Sequence, residues 1–576
     1  MNTILRVDSR TGRIRFVEAV EDEVRVGGRS FIVHHLLNEV DPACDPLGRR
    51  NRFILAAGLL GDTRLTTAGR LSVGAKSPLT GGVKESNVGG IAGRRLGRLG
   101  LKAIVLEDAP DEDLCRVLVV RKDGAELVDK PSLKGLGVTQ TLKALAKEYG
   151  KKPGLLCIGP AGEYKLGASI VATTDHTGVQ VRTAGRGGLG AVMGSKGVKA
   201  VVLDDSGTTA PVMADAGMFT EAAREVANII KNDPKTDNRH DFGTPAVLSL
   251  CNTLGILPTR NFSAGTFEDA DRINGDAVAE LIHSRGGEGK WGLPCVQGCV
   301  ISCSNIFPNP DGKAHVASLQ YENIALLGSN LGIGDIDEIA ILNDLCNDVG
   351  IDTIDGGAAI GIAMEAGLLE FGDSAGAGDL LRQVGLGTPL GRIIGSGAAL
   401  TGRVLGARRV PVVKGQAMPA YDPRALKGIG VTYATSAMGA DHTAGNTLET
   451  VRYLDPLSAE GQVAISHRLQ IRGAILDTLG VCLFLRPAFV KNPDLTARLI
   501  NGRYGWDWTY GDVQAMGRQC LRLEAEFNRL AGMDKTGCDV PEFMRSEPLP
   551  PKNTVYDISR DEMDGIWETA IEKDIF

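Results

Sequence analysis

The sequence predicts an α+β protein: a β-rich N-terminal domain followed by two mainly α-helical domains. Three observations lead to this prediction. Short runs of β-branched residues, closed by turn residues, recur through residues 1–207. From Met213 onwards, apolar residues return every three or four positions, which is typical of helices. Three prolines within residues 407–425 then mark a break. We therefore expect domains at 1–207, 208–410 and 411–576.

The β-rich part begins with a predicted hairpin. The runs "ILRVD" and "RIRFVEA" flank the turn residues from Ser9 to Gly12. Later runs, "KAIVLED", "CRVLVVRKDG" and "VKAVVLDD", also combine β-branched residues with polar turn residues at their ends. Such short, punctuated runs indicate strands joined by tight connections.

The helical part contains three segments with clear periodicity. Residues 216–233, "AGMFTEAAREVANIIKND", show helical spacing. Residues 335–350 begin with Asp335 and Glu338, a possible capping pair, ahead of an apolar stripe. Near the C-terminus one stripe alternates spacings of three and four, which predicts a long helix. Its members are Val513, Met516, Cys520, Leu523, Phe527 and Leu530.

Composition excludes several classes of protein. Apolar residues make up 43% of the chain and charged residues 23%, as in ordinary globular proteins. The net charge of −7 argues against a nucleic-acid binder, which usually presents a basic face. We find no long apolar run that predicts a membrane span and no N-terminal pattern of a signal peptide. A cytoplasmic location follows as the expectation.

The segment 291–305, "WGLPCVQGCVISCSN", concentrates Cys295, Cys299 and Cys303, although the whole chain has only 11 cysteines. In a reducing compartment, clustered cysteines indicate metal ligands more often than disulfides. A structural zinc site usually draws its ligands in close pairs, whereas an iron–sulfur cluster commonly combines a local triplet with one remote cysteine. The triplet fits a helix face or a loop after Pro294. Three buried structural cysteines are the alternative.

Four other cysteines are candidates for the remote ligand. Cys346 and Cys520 lie on apolar helical stripes and Cys157 lies in an apolar strand, so we expect these three in the core. Cys482 differs, because it ends the segment "DTLGVC". A similar pattern occurs in "NDVGID", residues 347–352, where a polar residue again precedes a glycine by three positions. We interpret the two segments as related loops that grip a quasi-symmetric ligand.

Two glycine-rich segments predict phosphate binding. Gly185, Gly187 and Gly190 match the G-x-G-x-x-G pattern of dinucleotide folds, but the strand before them and the helix after them are poor. We therefore disfavour a dinucleotide fold. The same loop, with Arg182 and Arg186, can still cradle phosphate through backbone N–H groups and cations. Residues 68–90 form a second loop of this kind, and two loops together indicate an extended phosphorylated cofactor.

These motifs together resemble the aldehyde ferredoxin oxidoreductases, which are tungsten–pterin enzymes. The resemblance covers nearly the whole chain, and the order of the motifs also agrees. Besides the cysteine triplet, it is carried by "AGRLSVGAKSPLTGGVKESNVGG", "IGPAGE", "TAGRGGLGAVMGSKGVKA", "YENIALLGSN", "LCNDVGIDTID", "PAYDPRALKGIGVTYATSAMGADH" and "DTLGVC".

The resemblance implies a β-rich base domain that carries two pyranopterins, with two helical domains closing over them. It implies tungsten, or molybdenum, held by pterin sulfurs alone, a magnesium ion at the pterin phosphates and a neighbouring [4Fe–4S] cluster. Cluster ligands would be Cys295, Cys299, Cys303 and Cys482. Cofactor-binding residues would be Arg70, Asn87, Gly89, Arg182, Thr183, Gly185, Arg186, Asn347, Asp352, Asp477 and Val481. Glu322 and His442 would form an acid–base pair, with Tyr321 beside them.

Two departures from the family pattern stand out. The family's usual triplet has two residues between its first and second cysteines, whereas three residues separate Cys295 from Cys299 here. The loop of the first ligand must therefore have a different shape. Asn347 also stands where an aspartate is common, and its amide can donate as well as accept hydrogen bonds.

The resemblance implies oxidation of a small-molecule aldehyde to a carboxylic acid, with electrons leaving through the cluster to ferredoxin or a small iron–sulfur subunit. The alternative is reduction of an aromatic acyl-CoA or a carboxylic acid by the same cofactors. A further alternative is a non-enzymatic subunit that binds only a cluster. No second cysteine cluster occurs, so we expect the onward electron acceptor to be another protein. We also expect an oligomer.

Overall fold

A computed structural model describes residues 2–175, 177–178, 181–533, 538–571 and 575–576. Its N-terminal part contains two six-stranded sheets. The first sheet has the order β2-β1-β6-β3-β4-β5, with strands β1 Thr3–Asp8, β2 Ile14–Glu18, β3 Phe53–Ala57, β4 Leu71–Lys76, β5 Val83–Val88 and β6 Leu101–Glu107. The predicted hairpin is confirmed, because β1 and β2 pair antiparallel.

The second sheet repeats the plan of the first. Its order is β11-β10-β9-β12-β7-β8, with strands β7 Arg116–Arg121, β8 Gly124–Asp129, β9 Gly154–Cys157, β10 Val171–Thr174, β11 Val181–Ala184 and β12 Val198–Leu203. In each sheet the first and sixth strands pair parallel and all other neighbours pair antiparallel. The base is therefore an internal duplication, which the sequence analysis did not detect.

The helices of the base also recur in equivalent places. One precedes the third strand of each sheet and one precedes the sixth. The helices are α1 Glu21–Val24, α2 Gly28–Glu39, α3 Ala92–Arg98, α4 Val138–Tyr149, α5 Pro160–Glu163 and α6 Leu189–Ser195. The short α6 joins β11 to β12, which run in opposite directions with two strands between them. This topology excludes the dinucleotide fold, as expected.

The rest of the chain is mainly helical. Its first part contains α7 Ala216–Lys231, α8 Pro234–Phe242, α9 Val247–Leu254, α10 Ala270–Ile273, α11 Gly275–Arg285, α12 Tyr321–Leu327, α13 Ile336–Val349, α14 Thr353–Glu365, α15 Ser374–Leu386, α16 Pro389–Gly395 and α17 Ala398–Leu405. Its second part contains α18 Lys427–Thr435, α19 Gln462–Leu479, α20 Arg486–Lys491, α21 Asp494–Tyr504, α22 Tyr510–Leu530, α23 Glu542–Ser546 and α24 Arg560–Asp564. The predicted α+β class is confirmed.

The three strongly periodic segments form α7, α13 and α22. Asp335 caps α13 by accepting hydrogen bonds from the backbone N–H groups of Asp337 and Glu338, at 2.8 and 3.2 Å. The polypeptide from Leu203 to Ala216 joins the base to the first helix of the helical part. The predicted limits at 207 and 410 stay predictions.

Two small sheets interrupt the helices. The larger one combines β13 Lys290–Leu293, β14 Ser304–Pro308 and β15 Ala314–Val316, and the smaller pairs β16 Val412–Val413 with β17 Gln416–Ala417. The cysteine triplet lies in the irregular segment between β13 and β14, so the loop form applies and not the helix face. Cys157, Cys346 and Cys520 are fully buried in the core, as predicted.

Two close backbone contacts join the helices to the base. Gly480 ends α19 in the left-handed conformation, with φ of 71°. A Cβ atom added to Gly58 of the base would lie 2.3 Å from the Cα atom of Gly480. Gly350 ends α13 in the same conformation, and a Cβ on Gly159 would lie 2.5 Å from the carbonyl oxygen of Val349. The related loops predicted from the sequence thus occupy equivalent places on the duplicated base.

A buried ion pair also crosses this junction. Arg29 of α2 donates to both carboxylate oxygens of Glu524 of α22, at 2.7 and 2.9 Å.

Among the described residues, no single helix is long and apolar enough to cross a membrane. One bent pair, α19 with residues 483–491, meets the length and composition criteria together, with a bend of 110°.

The close approach at Gly58 can be tested by substitution. Gly58→Ala places a methyl group inside the backbone of Gly480, so we expect a loss of about 2–4 kcal/mol in the free energy of unfolding. Gly124→Ala is the matched control, because a Cβ there meets no atom within 4 Å. Denaturant unfolding of both variants measures the difference. Equal stabilities of the two variants would contradict the close contact.

Candidate active site

A carboxylate and an imidazole meet between the helical parts. Glu322 lies in the first turn of α12, and His442 lies in the loop after α18. Glu322 Oε1 is 3.5 Å from His442 Nε2, and the two side chains are 15% and 20% exposed. The other carboxylate oxygen of Glu322 accepts a hydrogen bond from the Ala420 N–H at 2.9 Å. The residues predicted as an acid–base pair are thus neighbours.

This pair has unused capacity for hydrogen bonds. Within the described part of the chain, neither Glu322 Oε1 nor His442 Nδ1 has a hydrogen-bond partner, although both atoms are buried. Burial raises the pKa of Glu322, and the neighbouring His442 lowers it only in part. A buried, unsatisfied polar atom is costly unless a ligand or water pairs with it. Both atoms are therefore available to form a hydrogen bond with a bound molecule.

Two tyrosines form one wall beside the pair. The Tyr321 hydroxyl donates to the Ala420 carbonyl at 2.5 Å, so Ala420 holds both Tyr321 and Glu322. The Tyr421 ring packs beside both aromatic neighbours, with its centroid 5.2 Å from that of the Tyr321 ring and 5.8 Å from that of the His442 ring. Tyr421 is not among the predicted site residues. Its segment, "PAYDPRA", indicates a boundary and belongs to a motif of the family resemblance, but nothing in it singles out this tyrosine.

The four predicted cluster cysteines converge. Burial and the nearby Cys295, Cys482 and Cys299 all raise the pKa of Cys303. Burial, with Cys295 nearby, raises the pKa of Cys299 to about 12. Thr66 and Thr67 of one base loop accept hydrogen bonds from the Val300 and Cys482 N–H groups, at 3.0 and 3.2 Å, which brings the remote Cys482 beside the triplet. A raised pKa favours the protonated thiol, so a cationic centre would be required to hold these cysteines as thiolates.

The spacing of these sulfurs does not suit a single ion. Among the described residues, no three His, Cys, Asp or Glu side chains are close enough to hold one metal ion. The preference for an iron–sulfur cluster over zinc, drawn from the sequence, stays a prediction. The extra residue before Cys299 does not remove Cys295 from the group. Cys295 instead packs on the base, where its Sγ would lie 3.2 Å from a Cβ added at Gly89.

Residues of the base form hydrogen bonds with both segments that carry the cysteines. The Gly90 N–H donates to the Cys295 carbonyl at 3.1 Å, and the Cys482 N–H donates to Thr67 Oγ1 at 3.2 Å. Arg70 donates through Nε to the Asn87 side chain and through Nη2 to the Asn87 carbonyl, the latter at 3.3 Å. Arg70, Asn87 and Gly89 are therefore adjacent to the cysteines, as the prediction of a shared cofactor site requires.

The glycine-rich loop that contains Arg182 and Gly185 lies partly against the cysteine segment. Arg182 donates to Ser304 Oγ at 2.6 Å and to the Ala317 carbonyl at 3.2 Å, next to the cysteine segment. A Cβ at Gly185 would lie 3.7 Å from Thr183 Oγ1, so these two predicted residues adjoin. The phosphate and magnesium contacts predicted for this loop stay predictions.

Arg186 is held by protein groups. Its side chain donates to Asp352 at 3.3 Å, to Asp355 at 3.4 Å and to the carbonyls of Ala440 and Ala417 at 2.5 Å. Much of its donor capacity is therefore already used within the protein. Its predicted role at a phosphate stays a prediction, and these contacts point instead to a role in positioning Asp352.

The two glycine-capped loops carry the other predicted cofactor residues. Asp352 caps α14, where its carboxylate accepts from the Asp355 N–H at 3.1 Å, and burial raises its pKa despite Arg186. Asn347 lies half-buried in the last turn of α13. In the equivalent loop, Asp477 is 3.3 Å from Arg29 and Val481 is buried. The buried Asp352 and the half-buried Asp477 thus lie at equivalent places on the two halves of the base.

Sequence reasoning missed a set of buried charges behind Asp477. Arg29 contacts both Glu524 and Asp477, at 2.7 and 3.3 Å. Burial, with Asp477 nearby, raises the pKa of Glu85 to about 8. Lys84 pairs at 2.9 Å with Asp441, the residue directly before His442 in the chain. Lys84 and Glu85 lie in the glycine-rich segment 68–90, but only the three-dimensional structure brings them beside the remote Asp441 and Asp477.

Two family models match the chain. The model described as "Aldehyde ferredoxin oxidoreductase, N-terminal domain" matches residues 4–205, and that described as "Aldehyde ferredoxin oxidoreductase, domains 2 & 3" matches residues 221–566. The chain belongs to the aldehyde ferredoxin oxidoreductase family. The family resemblance inferred from the motifs is confirmed.

Individual relatives agree with this assignment. The chain is 33% identical to a tungsten-containing aldehyde ferredoxin oxidoreductase of Pyrococcus abyssi, over 95% of this chain and 92% of that protein. It is 31% identical to the Pyrococcus furiosus enzyme of the same description, over 95% and 91%. An aliphatic sulfonate oxidoreductase, WOR-like subunit, of Pyrococcus furiosus is 27% identical over 95% and 89%.

One solved structure shows the same fold. The active site complex BamBC of benzoyl coenzyme A reductase, in complex with 1,5-dienoyl-CoA, contains a chain similar to this one with a TM-score of 0.80. The similarity covers 98% of this chain and 93% of that one, at 18% identity. Family membership implies a tungsten–pterin cofactor. The four converging thiols, the glycine-lined base and the unsatisfied Glu322 and His442 atoms fit such a cofactor set.

The raised pKa of Glu85 predicts how stability depends on pH. In the unfolded chain this carboxyl ionises near the ordinary glutamate pKa of 4.5, whereas in the folded protein it keeps its proton until about pH 8. The folded state therefore binds more protons between these values, and stability contributed by Glu85 falls as pH rises through this window. Glu85→Gln is expected to reduce that fall, as measured by thermal unfolding at about pH 5 and 8. An unchanged dependence in the variant would contradict the assignment.

Proposed function

We propose that this protein oxidises a small-molecule aldehyde to a carboxylic acid and passes the electrons to an iron–sulfur acceptor. The observation that carries the proposal is the Glu322–His442 pair, at 3.5 Å with unsatisfied buried atoms. The family assignment and the tungsten-containing relatives support the same activity.

The proton chemistry follows from the pair. Glu322, with its pKa raised by burial, is a suitable general base for the water that adds to the aldehyde carbon. His442, adjacent to it, shares or relays that proton. The Ala420 N–H fixes one Glu322 oxygen, which directs the other toward the bound molecule. Tyr321 and Tyr421 supply an apolar wall that excludes water beside the reacting carbon.

Tungsten bound by pterin supplies two-electron acceptance in this family, and the choice between tungsten and molybdenum is not set by any protein ligand. We propose that Arg70, Asn87, Gly89, Arg182, Thr183 and Gly185 bind the phosphates of two pyranopterins and a magnesium ion. We assign the pterin rings to the loop residues Asn347, Asp352, Asp477 and Val481. Cys295, Cys299, Cys303 and Cys482 are proposed to hold a [4Fe–4S] cluster beside one pterin.

One cluster on this chain only relays electrons, so a second protein is needed. We propose ferredoxin or a small iron–sulfur subunit as this partner, in a cytoplasmic oligomer. Reduction of an aromatic acyl-CoA is the alternative activity, and a parallel substrate screen separates the two. Turnover of aldehydes with no turnover of benzoyl-CoA supports the proposal, and the reverse result would overturn it.

Glu322 can be tested through the pH dependence of turnover. A general base must be ionised, so kcat/KM is expected to rise with pH through a limb above pH 4.5, the ordinary glutamate pKa. Glu322→Gln is expected to lower kcat at least about 100-fold and to abolish that limb, because the amide cannot accept the proton. His442→Asn tests the relay in the same assay. Full turnover in both variants would contradict the proposed proton chemistry.

The cluster ligands can be tested by metal content. Cys482→Ser removes one of the four converging thiols, so we expect loss of iron and of the low-temperature EPR signal of the reduced cluster. Cys115→Ser is the matched control, because Cys115 is also half-buried but lies in the base away from the triplet. Iron content that stays equal in the two variants would rule out Cys482 as a ligand.

A further inference from the structure

The cysteine segment reaches the protein surface. Gln297 and Gly298, between the first two cysteines, are exposed, and Cys299 and Cys303 are only half-buried. This segment therefore offers a route to the surface for electrons that leave from the four cysteines. A partner protein that takes them must dock against this segment or its immediate surroundings.

The base loop of residues 62–70 and helix α3 flank this segment on one side. Thr66 Oγ1 accepts a hydrogen bond from the Val300 N–H at 3.0 Å. Gly90, two residues before α3, donates to the Cys295 carbonyl. Arg94 of α3 packs on the same loop, since its Cβ atom would lie 3.3 Å from a Cβ added at Gly69. The loop and α3 thus form one surface with the cysteine segment.

This flank is strongly basic. It carries four arginines, which we call the arginine patch: Arg64, Arg94, Arg95 and Arg98. Asp205 accepts from Arg95 at 2.8 Å and lies 3.5 Å from Arg98. The nearby Asp62 is already paired with Arg503 at 2.6 Å. Among the described residues, no carboxylate lies within ion-pair distance of Arg64 or Arg94.

Arg94 shows how crowded this positive charge is. Burial lowers its pKa, and the neighbouring Arg98, Arg95 and Arg64 lower it further, against a smaller opposing effect of Asp62. Its Nε atom is buried and has no hydrogen-bond partner within the described part of the chain. The chain as a whole carries a net charge of −7, so such an excess of cations is local. Uncompensated positive charge of this kind attracts a negatively charged partner.

We propose that the arginine patch and the exposed cysteine segment together form the docking site of an acidic iron–sulfur electron carrier. This inference rests on the proposed function. Complementary charge accelerates encounter and orients the partner, and it brings the carrier's cluster opposite Gln297 and Gly298. The exchange is a single-electron step, in which the reduced cluster of this protein is oxidised and that of the carrier is reduced.

The test compares two electron acceptors on the intact enzyme. Aldehyde-dependent reduction of an acidic 2[4Fe–4S] ferredoxin and of benzyl viologen is measured at increasing salt. For Arg64→Glu we expect kcat/KM for ferredoxin to fall about tenfold and its salt dependence to flatten, because charge reversal at a rim mainly slows encounter. Viologen reduction should change by less than about twofold, since a small dye does not need the docking surface.

Two further variants control for charge and for folding. Arg13→Glu makes the same charge change at an exposed arginine in the β1–β2 turn, at the other end of the strands from the loop that follows β3. Arg64→Lys keeps the charge and should keep the ferredoxin rate. An unchanged ferredoxin rate in Arg64→Glu, or an equal loss in Arg13→Glu, would overturn the proposal. The proposal would also be overturned if a short single-stranded RNA bound in a manner that depends on Arg64 while the kinetics with ferredoxin did not depend on it.

The design also separates this inference from the proposed function. If the wild-type enzyme reduces neither acceptor with any aldehyde, the proposed activity is wrong. Binding of ferredoxin at low salt, measured by calorimetry on wild type, Arg64→Glu and Arg13→Glu, then still decides whether the patch docks an acidic carrier. If the enzyme reduces viologen but ferredoxin binds wild type and Arg64→Glu equally well, only the docking site is rejected.

Discussion

The architecture depends on two places where helix ends touch the base backbone to backbone. Gly480 against Gly58, and Gly350 against Gly159, leave no room for a side chain. Both helices end in a left-handed glycine, which turns the chain so that the next residues run along the base. The loops carrying Asp352, Asp477 and Cys482 all adjoin these contacts. A loss of either contact would therefore move, as a group, residues that we propose to bind the cofactor.

The duplication of the base gives these contacts their symmetry. Two sheets of the same strand order present two equivalent glycines to two equivalent helix ends. The two halves differ in the residues that follow the two helix ends. The loop after α19 continues into Cys482, whereas the loop after α13 continues into α14. The iron–sulfur cluster is proposed on one side only, so electrons would leave past that half of the base.

Buried charge concentrates along the same junction. Arg29, Lys84 and Arg186 each reach from the base or its loops to carboxylates of the helical parts. Such pairs do not by themselves stabilise a fold, because desolvation offsets most of the attraction. They do fix where the parts meet, since displacing either partner would leave a charge buried alone. His442 follows Asp441, so its position depends on the pair with Lys84.

Sequence patterns alone establish the local elements and the family. Periodicity and turn chemistry identify the first hairpin, α7, α13 and α22, because those signals lie within one element. The motifs also locate Glu322, His442 and the cysteine triplet. Folding is what brings Cys482 to the triplet, adds Tyr421 to the site, and creates the duplicated base and the arginine patch. Each of these depends on contacts between distant segments, and packing decides them, because local propensity carries no information about which surfaces meet.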